Sequence, residues 1–116
     1  MRVGDSAGVE RAFSAADLEA YRALGGEPAV DQVPDPLIGA LFSYLLGMQL
    51  PGLGTMYLKQ ETEFRAAAAP GEVVRATVRI TRLRPEKHLA DLATECHGAD
   101  GRLLAEGRAL VYTRDV

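Results

Sequence analysis

Residues 36–58 read PLIGALFSYLLGMQLPGLGTMYL, and not one of them is charged. Nothing else in the chain resembles this run. Its first half, Pro36 to Met48, is apolar on every side, and a helix of that kind needs cover all round. The run is too short for a membrane span of about 20 apolar residues, and Pro51, Gly52 and Gly54 break it. The pattern therefore predicts a buried helix that other elements enclose. In a chain of 116 residues, the cheapest enclosure is a curved β-sheet.

Composition narrows the class. The chain has the size of one ordinary domain, residues 1–116, and 47% apolar with 25% charged residues is ordinary for a globular protein. The net charge is −3 and the basic residues are dispersed, so no block points to nucleic acid or an anionic membrane. The opening MRVGDSAGVER lacks the apolar stretch of a signal peptide. A lone cysteine, Cys96, allows no intrachain disulfide, which fits a reducing cytoplasm.

Local patterns supply the elements. A short strand is expected near Val9 to Phe13. Ser14 and Asp17 have the spacing of a capping box, Leu18, Tyr21 and Leu24 follow at helical period, and Gly25-Gly26 ends that helix. Asp35 is a candidate N-cap with Pro36 at the first helical position. Leu37, Ile38, Leu41, Phe42, Leu45, Leu46 and Met48 are then expected inside.

After the turn at Leu50 to Gly54 the period drops to two. Met56, Leu58, Gln60, Thr62 and Phe64 should face one way, and Lys59, Glu61, Glu63 and Arg65 the other. Pro70-Gly71 marks a second turn. Val74 to Ile80 alternate, and Leu83 falls out of phase, which predicts a bulge near Arg82. Ala90 to Cys96 alternate after a break at Pro85. Ala99-Asp100-Gly101 signals a tight hairpin before a last strand over 102–112. Short turns predict an antiparallel meander with the helices on one side, an α+β arrangement.

Few residues carry an obvious chemistry. Glu27 and Asp31 flank the start of the uncharged helix, and two carboxylates there can do acid–base work or simply be solvated loop acids. Asp35 has a sufficient role as a cap. His88 beside Lys87 can meet a phosphate or simply be exposed, and His97 alternates with Cys96 toward solvent. No His, Cys or acidic residues have metal-ligand spacing with supporting partners, so no metal and no cofactor are expected. Ser43 is not in a G-x-S-x-G elbow, which speaks against a serine hydrolase.

The stretches ALFSYLLGMQLPGLGTMYLKQETEF and GEVVRATVRITRLRPEKHLADLATECHGADGRLLAEGRALV, with FSAADLEAYRALGG upstream, resemble the MaoC-like hotdog family, and within it the (R)-specific enoyl-CoA hydratases. The most specific part is LPG-x-G-[ST]-x-Y-L-x-Q, Leu50 to Gln60. The resemblance implies a hotdog fold, in which a long central helix is wrapped by a curved antiparallel sheet. It also implies reversible addition of water to a trans-2-enoyl thioester of coenzyme A or acyl-carrier protein.

In that family an Asp and a His after the first helix perform the proton transfers, and the N-terminus of the central helix polarises the thioester carbonyl. By that resemblance Asp35 and Leu37 mark the oxyanion end of the helix. Gly54, Gln60, Arg84 and Lys87 are candidate substrate contacts, the basic pair for the coenzyme A diphosphate.

This chain departs from the family pattern ahead of the helix. The segment between Leu24 and Pro36 is short, Glu27 falls where the Asp belongs, and the His has no counterpart. The expected activity is hydratase or dehydratase, with a hotdog thioesterase or a non-catalytic binding or partner subunit as alternatives. One wrapped sheet leaves an edge and part of the helix bare, so a homodimer or higher oligomer is expected.

Overall fold

The computed structural model describes residues 1–25 and 32–114. The elements in chain order are β1 (Ser6–Ala12), α1 (Ala15–Ala23), α2 (Asp35–Met48), β2 (Met56–Phe64), β3 (Val73–Arg84), β4 (Leu89–His97) and β5 (Leu103–Tyr112), with a 3-10 turn at Pro85–Lys87. The five strands form one antiparallel sheet in the order β1-β3-β4-β5-β2. The inner face is packed on α2. Among the described residues no helix is long and apolar enough to cross a membrane.

Local chemistry explains where the elements begin and bend. The Ser14 side chain accepts from the Asp17 amide at 3.2 Å, and the Asp17 carboxylate accepts from the Ser14 amide at 2.8 Å, closing the capping box that opens α1. Gly25 follows with φ of 97°, a conformation that glycine adopts without penalty. On β3 the register slips between Ile80 and Arg82, so Leu83 rejoins the inner face opposite Ala90. The Ala99-Asp100-Gly101 hairpin joins β4 to β5, with the Gly98 amide on the Arg102 carbonyl at 3.0 Å.

Two expectations from pattern need correction. The strands are a meander only from β3 to β5. β2 pairs with β5, not β3, and residues 65–72 carry the chain across the end of the sheet. Pro70-Gly71 thus ends a crossover rather than a hairpin. The crossover is held by the Val33 amide on the Ala68 carbonyl at 2.8 Å and by the Gly71 amide on the Phe13 carbonyl at 2.8 Å.

The second correction concerns β2. Its register slips between Tyr57 and Lys59, leaving Leu58 in a bulge. Tyr57 therefore shares the inner face with Val111, while Met56 stands with Tyr112 on the outer one. Gln60, Thr62 and Phe64 do face inward, opposite Ala109, Gly107 and Ala105.

The core joins Phe42, Leu45 and Leu46 of α2 to Val74, Val78, Ile80, Leu92, Cys96, Leu104 and Val111 of the sheet. α2 is not enclosed on every side, however. Ile38, Leu41, Phe42, Leu45 and Leu46 are buried, whereas Tyr44 is 47% and Met48 59% exposed. The sheet curls over one side of the helix only. Leu58 and Phe64 of the β2 edge are also exposed.

A polar clip ties the crossover to the β4–β5 hairpin. Glu72 accepts from Arg102 Nη1 and Nη2 at 2.8 and 2.9 Å, and from the Ala69 and Ala99 amides at 3.0 Å each. The Arg102 fork first, and then these amides, hold the Glu72 carboxyl down at about 2 from its ordinary 4.5. A depressed carboxyl stabilises the fold fully above its unfolded value, and that contribution is lost as pH falls toward the folded one. Between pH 5.5 and 2.5 the melting temperature should therefore fall more steeply for the wild type than for Glu72→Gln. Parallel curves would show that the clip does not couple folding to protonation.

Candidate active site

The candidate site lies at the N-terminus of α2. Pro34 is the N-cap residue, with ψ of 141°, and Asp35 is the first helical residue. Asp35 is therefore not the cap expected from sequence, and among the described residues no side chain caps this end. The backbone ahead of it is fixed instead by burial of Val33 and Pro34 and by the Val33–Ala68 hydrogen bond.

Pro36 has no amide hydrogen, and the Leu37 amide donates to the Pro34 carbonyl at 3.0 Å. Of the first three helical residues, Asp35 alone offers an amide without an intrahelical partner. The positive end of the helix dipole adds to it. Glu27 and Asp31, the candidate carboxylates, lie outside the described residues.

A groove opens beside this end, between β1, α1 and α2, with a volume of about 390 Å³. Phe13, Ala20, Leu24, Leu37, Ala40 and Tyr44 contribute most of its character. Arg11 and Asp17 also line it and pair with each other at 3.4 Å, while the Arg11 guanidinium lies 4.9 Å from the centre of the Phe13 ring. Sequence reading missed this groove because it treated α2 as covered all round. The signal was present in Ser43 and Tyr44, whose hydroxyl groups the run places at i+3 and i+4 from Ala40 on the helix surface.

A second polar point lies between α2 and β2. The Tyr57 hydroxyl is enclosed and has no well-aligned hydrogen-bond partner among the described residues. Burial pushes its pKa up, and the nearby Ser43 hydroxyl opposes that rise in part. Tyr57 thus stays a neutral donor at neutral pH. It was not singled out from sequence, because the β2 bulge that turns it inward leaves no mark in the alternation of residues.

The candidate substrate contacts are scattered within one chain. Gly54 sits in the α2–β2 turn with φ of 88°, and Gln60 is exposed on the inner face of β2. Arg84 and Lys87 lie at the β3–β4 turn, at the end of the sheet where β2 begins and β5 ends. The N-terminus of α2 is at the other end, beside Ala68. β4 alone, with nine residues, separates these ends by about 30 Å at 3.3 Å per residue.

Arg84 is moreover paired with Asp91 at 2.8 Å, so much of its charge is committed. The Pro51-Gly52 pair serves the helix end: the Gly52 amide, at φ of 99°, donates to the Leu46 carbonyl at 3.0 Å.

Neither histidine reaches the α2 N-terminus. His88 is in the β3–β4 turn with φ of 56°, its ring 5.7 Å from that of Tyr112. His97 is near the correct end, but it stands on the outer face of the sheet, away from α2. Cys96 is fully buried on the inner face, and burial pushes its thiol up to about 11, so it is an inert core residue. Among the described residues no three His, Cys, Asp or Glu side chains are grouped to hold a metal ion.

This fold recurs in known proteins. The (R)-specific enoyl-CoA hydratase of Aeromonas caviae is 35% identical over 126 aligned residues, covering 96% of this chain and 94% of that protein. The chain belongs to the (R)-specific enoyl-CoA hydratase family. Its fold is the hotdog fold. The crystal structure of the A. caviae (R)-hydratase superposes with a TM-score of 0.89 over 97% of both chains, at 33% identity. An unliganded (R)-hydratase from Pseudomonas aeruginosa superposes at 0.90 over 97% of this chain and 82% of that one, at 23% identity, which speaks to the fold alone. No family model matches the sequence.

In the alignment with the A. caviae enzyme, the chain is shorter than the span it covers. Only residues 24–34 connect α1 to α2. Ala40 and Tyr44, which line the groove beside α1, are both exposed.

Proposed function

We propose that this chain is a single-domain acyl-thioester hydratase or dehydratase, adding water reversibly to a trans-2-enoyl group on coenzyme A or acyl-carrier protein. The observation that carries this reading is the family relationship, which runs through nearly the whole of both chains. In the hydration direction the water oxygen bonds to C3 and a proton arrives at C2. One carboxylate takes the proton that the water loses, and a second, protonated, delivers the proton to C2. Glu27 and Asp31 are the residues proposed for these roles. Negative charge that develops on the thioester oxygen is met by the Asp35 amide and the field of α2, with Leu37 closing the first turn.

The β2 edge supports a homodimer. Among the described residues β2 is hydrogen-bonded to β5 alone, and no strand pairs with its outer edge. Leu58 and Phe64 on it, with Met48 on α2, leave apolar surface bare. A second copy paired along β2 would cover both. It would also bring the Arg84–Lys87 end of one subunit nearer to the partner's half of the sheet, where a diphosphate could find Lys87. Gln60 and Gly54 then lie close to the joint. A fatty-acid role and a reducing cytoplasm, with Cys96 unpaired, fit the same reading.

The test is the loss of enoyl absorbance when the protein meets crotonyl-CoA or a longer enoyl-CoA. Turnover is expected, and Glu27→Gln and Asp31→Asn should each lower kcat by about 100-fold or more, the usual scale of a general acid or base. Turnover untouched by both substitutions would refute the carboxylate assignment. The position of both histidines away from the α2 N-terminus favours one other reading, a subunit that binds acyl thioesters without turning them over. Binding with no loss of enoyl absorbance would select it, and release of free thiol would select a thioesterase.

A further inference from the structure

The groove between β1, α1 and α2 has three properties that together define a ligand. Its size is the first. A volume of about 390 Å³ lies within the range of small-molecule sites, roughly 300–1,000 Å³. A four-carbon acyl group would leave most of it empty.

Its charge balance is the second. Arg11 and Asp17 are the charged side chains that line it, and they are paired with each other. Asp17 is further engaged by the Ser14 amide and hydroxyl at 2.8 and 3.1 Å, and Arg11 lies over the Phe13 ring. Among the described residues no unpaired charge lines it to hold a phosphate or an acidic or basic peptide. The ligand group that suits such walls is apolar.

The third property is position and unmet burial. The groove starts at Leu37, in the first turn of α2, beside the Asp35 amide. α1 has no buried residue, and Leu24 at its end is 89% exposed. Ala20 on α1 and Ala40 on α2 are both exposed, and their short side chains give the groove its width. An apolar group entering here would cover surface that the described residues leave open.

We propose that this groove receives the acyl chain of the thioester and selects for chains well beyond four carbons. The inference rests on the reading that the chain binds acyl thioesters, and it adds where the acyl group lies and what sizes it takes. With the carbonyl at the α2 N-terminus, the chain runs past Leu37 and Ala40 toward Tyr44, between α2 and the Ala20–Leu24 face of α1. Medium-length, branched or ring-bearing acyl groups fill the space that a butyryl group does not.

Saturated acyl-CoAs test this without chemistry, because they have no double bond to hydrate. Calorimetric titration with butyryl-, hexanoyl- and octanoyl-CoA should show Kd falling by about three- to fourfold per added methylene, the equivalent of about 0.8 kcal/mol. Ala20→Phe and Ala40→Phe fill the groove from opposite walls at exposed helix positions, and each should flatten this dependence to within about twofold per two carbons. Ala16→Phe, on α1 but outside the groove, should keep the wild-type slope. Wild-type affinities independent of chain length, or a slope that survives both groove substitutions, would overturn the proposal. Absence of turnover with enoyl-CoA would remove the hydratase reading and leave a chain-length-dependent slope standing, so the two failures are distinct.

Discussion

Replacing Phe42 with alanine should cost about 3–5 kcal/mol of stability, the usual range for deleting a fully buried aromatic side chain. Phe42 is 1% exposed and lies in the cluster that joins α2 to the inner face of the sheet. Leu45 and Leu46 on the same helix are equally buried, so the neighbours are already packed and cannot collapse cheaply into the space. The loss is a large part of the roughly 5–15 kcal/mol that holds a domain of this kind together. At about 4 °C per kcal/mol, the melting temperature should fall by about 12–20 °C. Met48→Ala, at the exposed end of the helix, should cost far less in a monomer. Equal losses for the two substitutions, measured by denaturant titration, would mean that the packing of α2 is not as described.

Gly107→Ala should detach β2 from the sheet. Gly107 lies on β5 opposite Thr62, and a Cβ there would fall on the Glu61 carbonyl oxygen, 2.8 Å from the Glu61 carbonyl carbon and 2.9 Å from the Thr62 Cα. These are backbone atoms, so no side chain can swing aside to make room. β2 has no other strand partner among the described residues. If the proposed dimer joins along β2, the same methyl group should dissolve it. Light scattering should then report about 12.4 kDa for the variant and twice that for the wild type. Hydrogen exchange should show lost protection along β2.

A control is available in the same residue type. Gly39→Ala, on α2, meets nothing within 4 Å and should stabilise the helix by about 0.5–1 kcal/mol. A Gly107→Ala protein with wild-type mass and wild-type protection would refute the assigned β2–β5 contact.

The legible parts of this protein were those decided within a few residues. The capping box of Ser14 and Asp17 needs only a spacing of three. The slip at Ile80–Arg82 was legible because Leu83 is too apolar to be left outside, and the structure returns it to the inner face. The bulge at Leu58 was not, since Met56, Tyr57 and Leu58 are all apolar and either phase satisfies the pattern. The crossover after β2 was equally hidden. Pro70-Gly71 is a turn in either topology, and only the hydrogen bonds from Val33 and Gly71 to distant residues decide which strand comes next.

The candidate site divides in the same way. Its location at the start of α2 followed from the family resemblance and is where the open helix end and the groove are found. The donor set did not follow. Which amides are free depends on the Leu37–Pro34 hydrogen bond, a backbone geometry that residue types do not specify.

By itself the sequence determined that a long uncharged helix would be buried against a sheet of alternating strands, because hydrophobic periodicity is written residue by residue. The tertiary structure alone decided that this burial is one-sided. How far a sheet curls depends on strand order and on which edges remain free, and both are set by contacts between distant residues. The face of α2 left open by that curl holds the groove, on the β1 side of the sheet, while β2 forms the opposite edge.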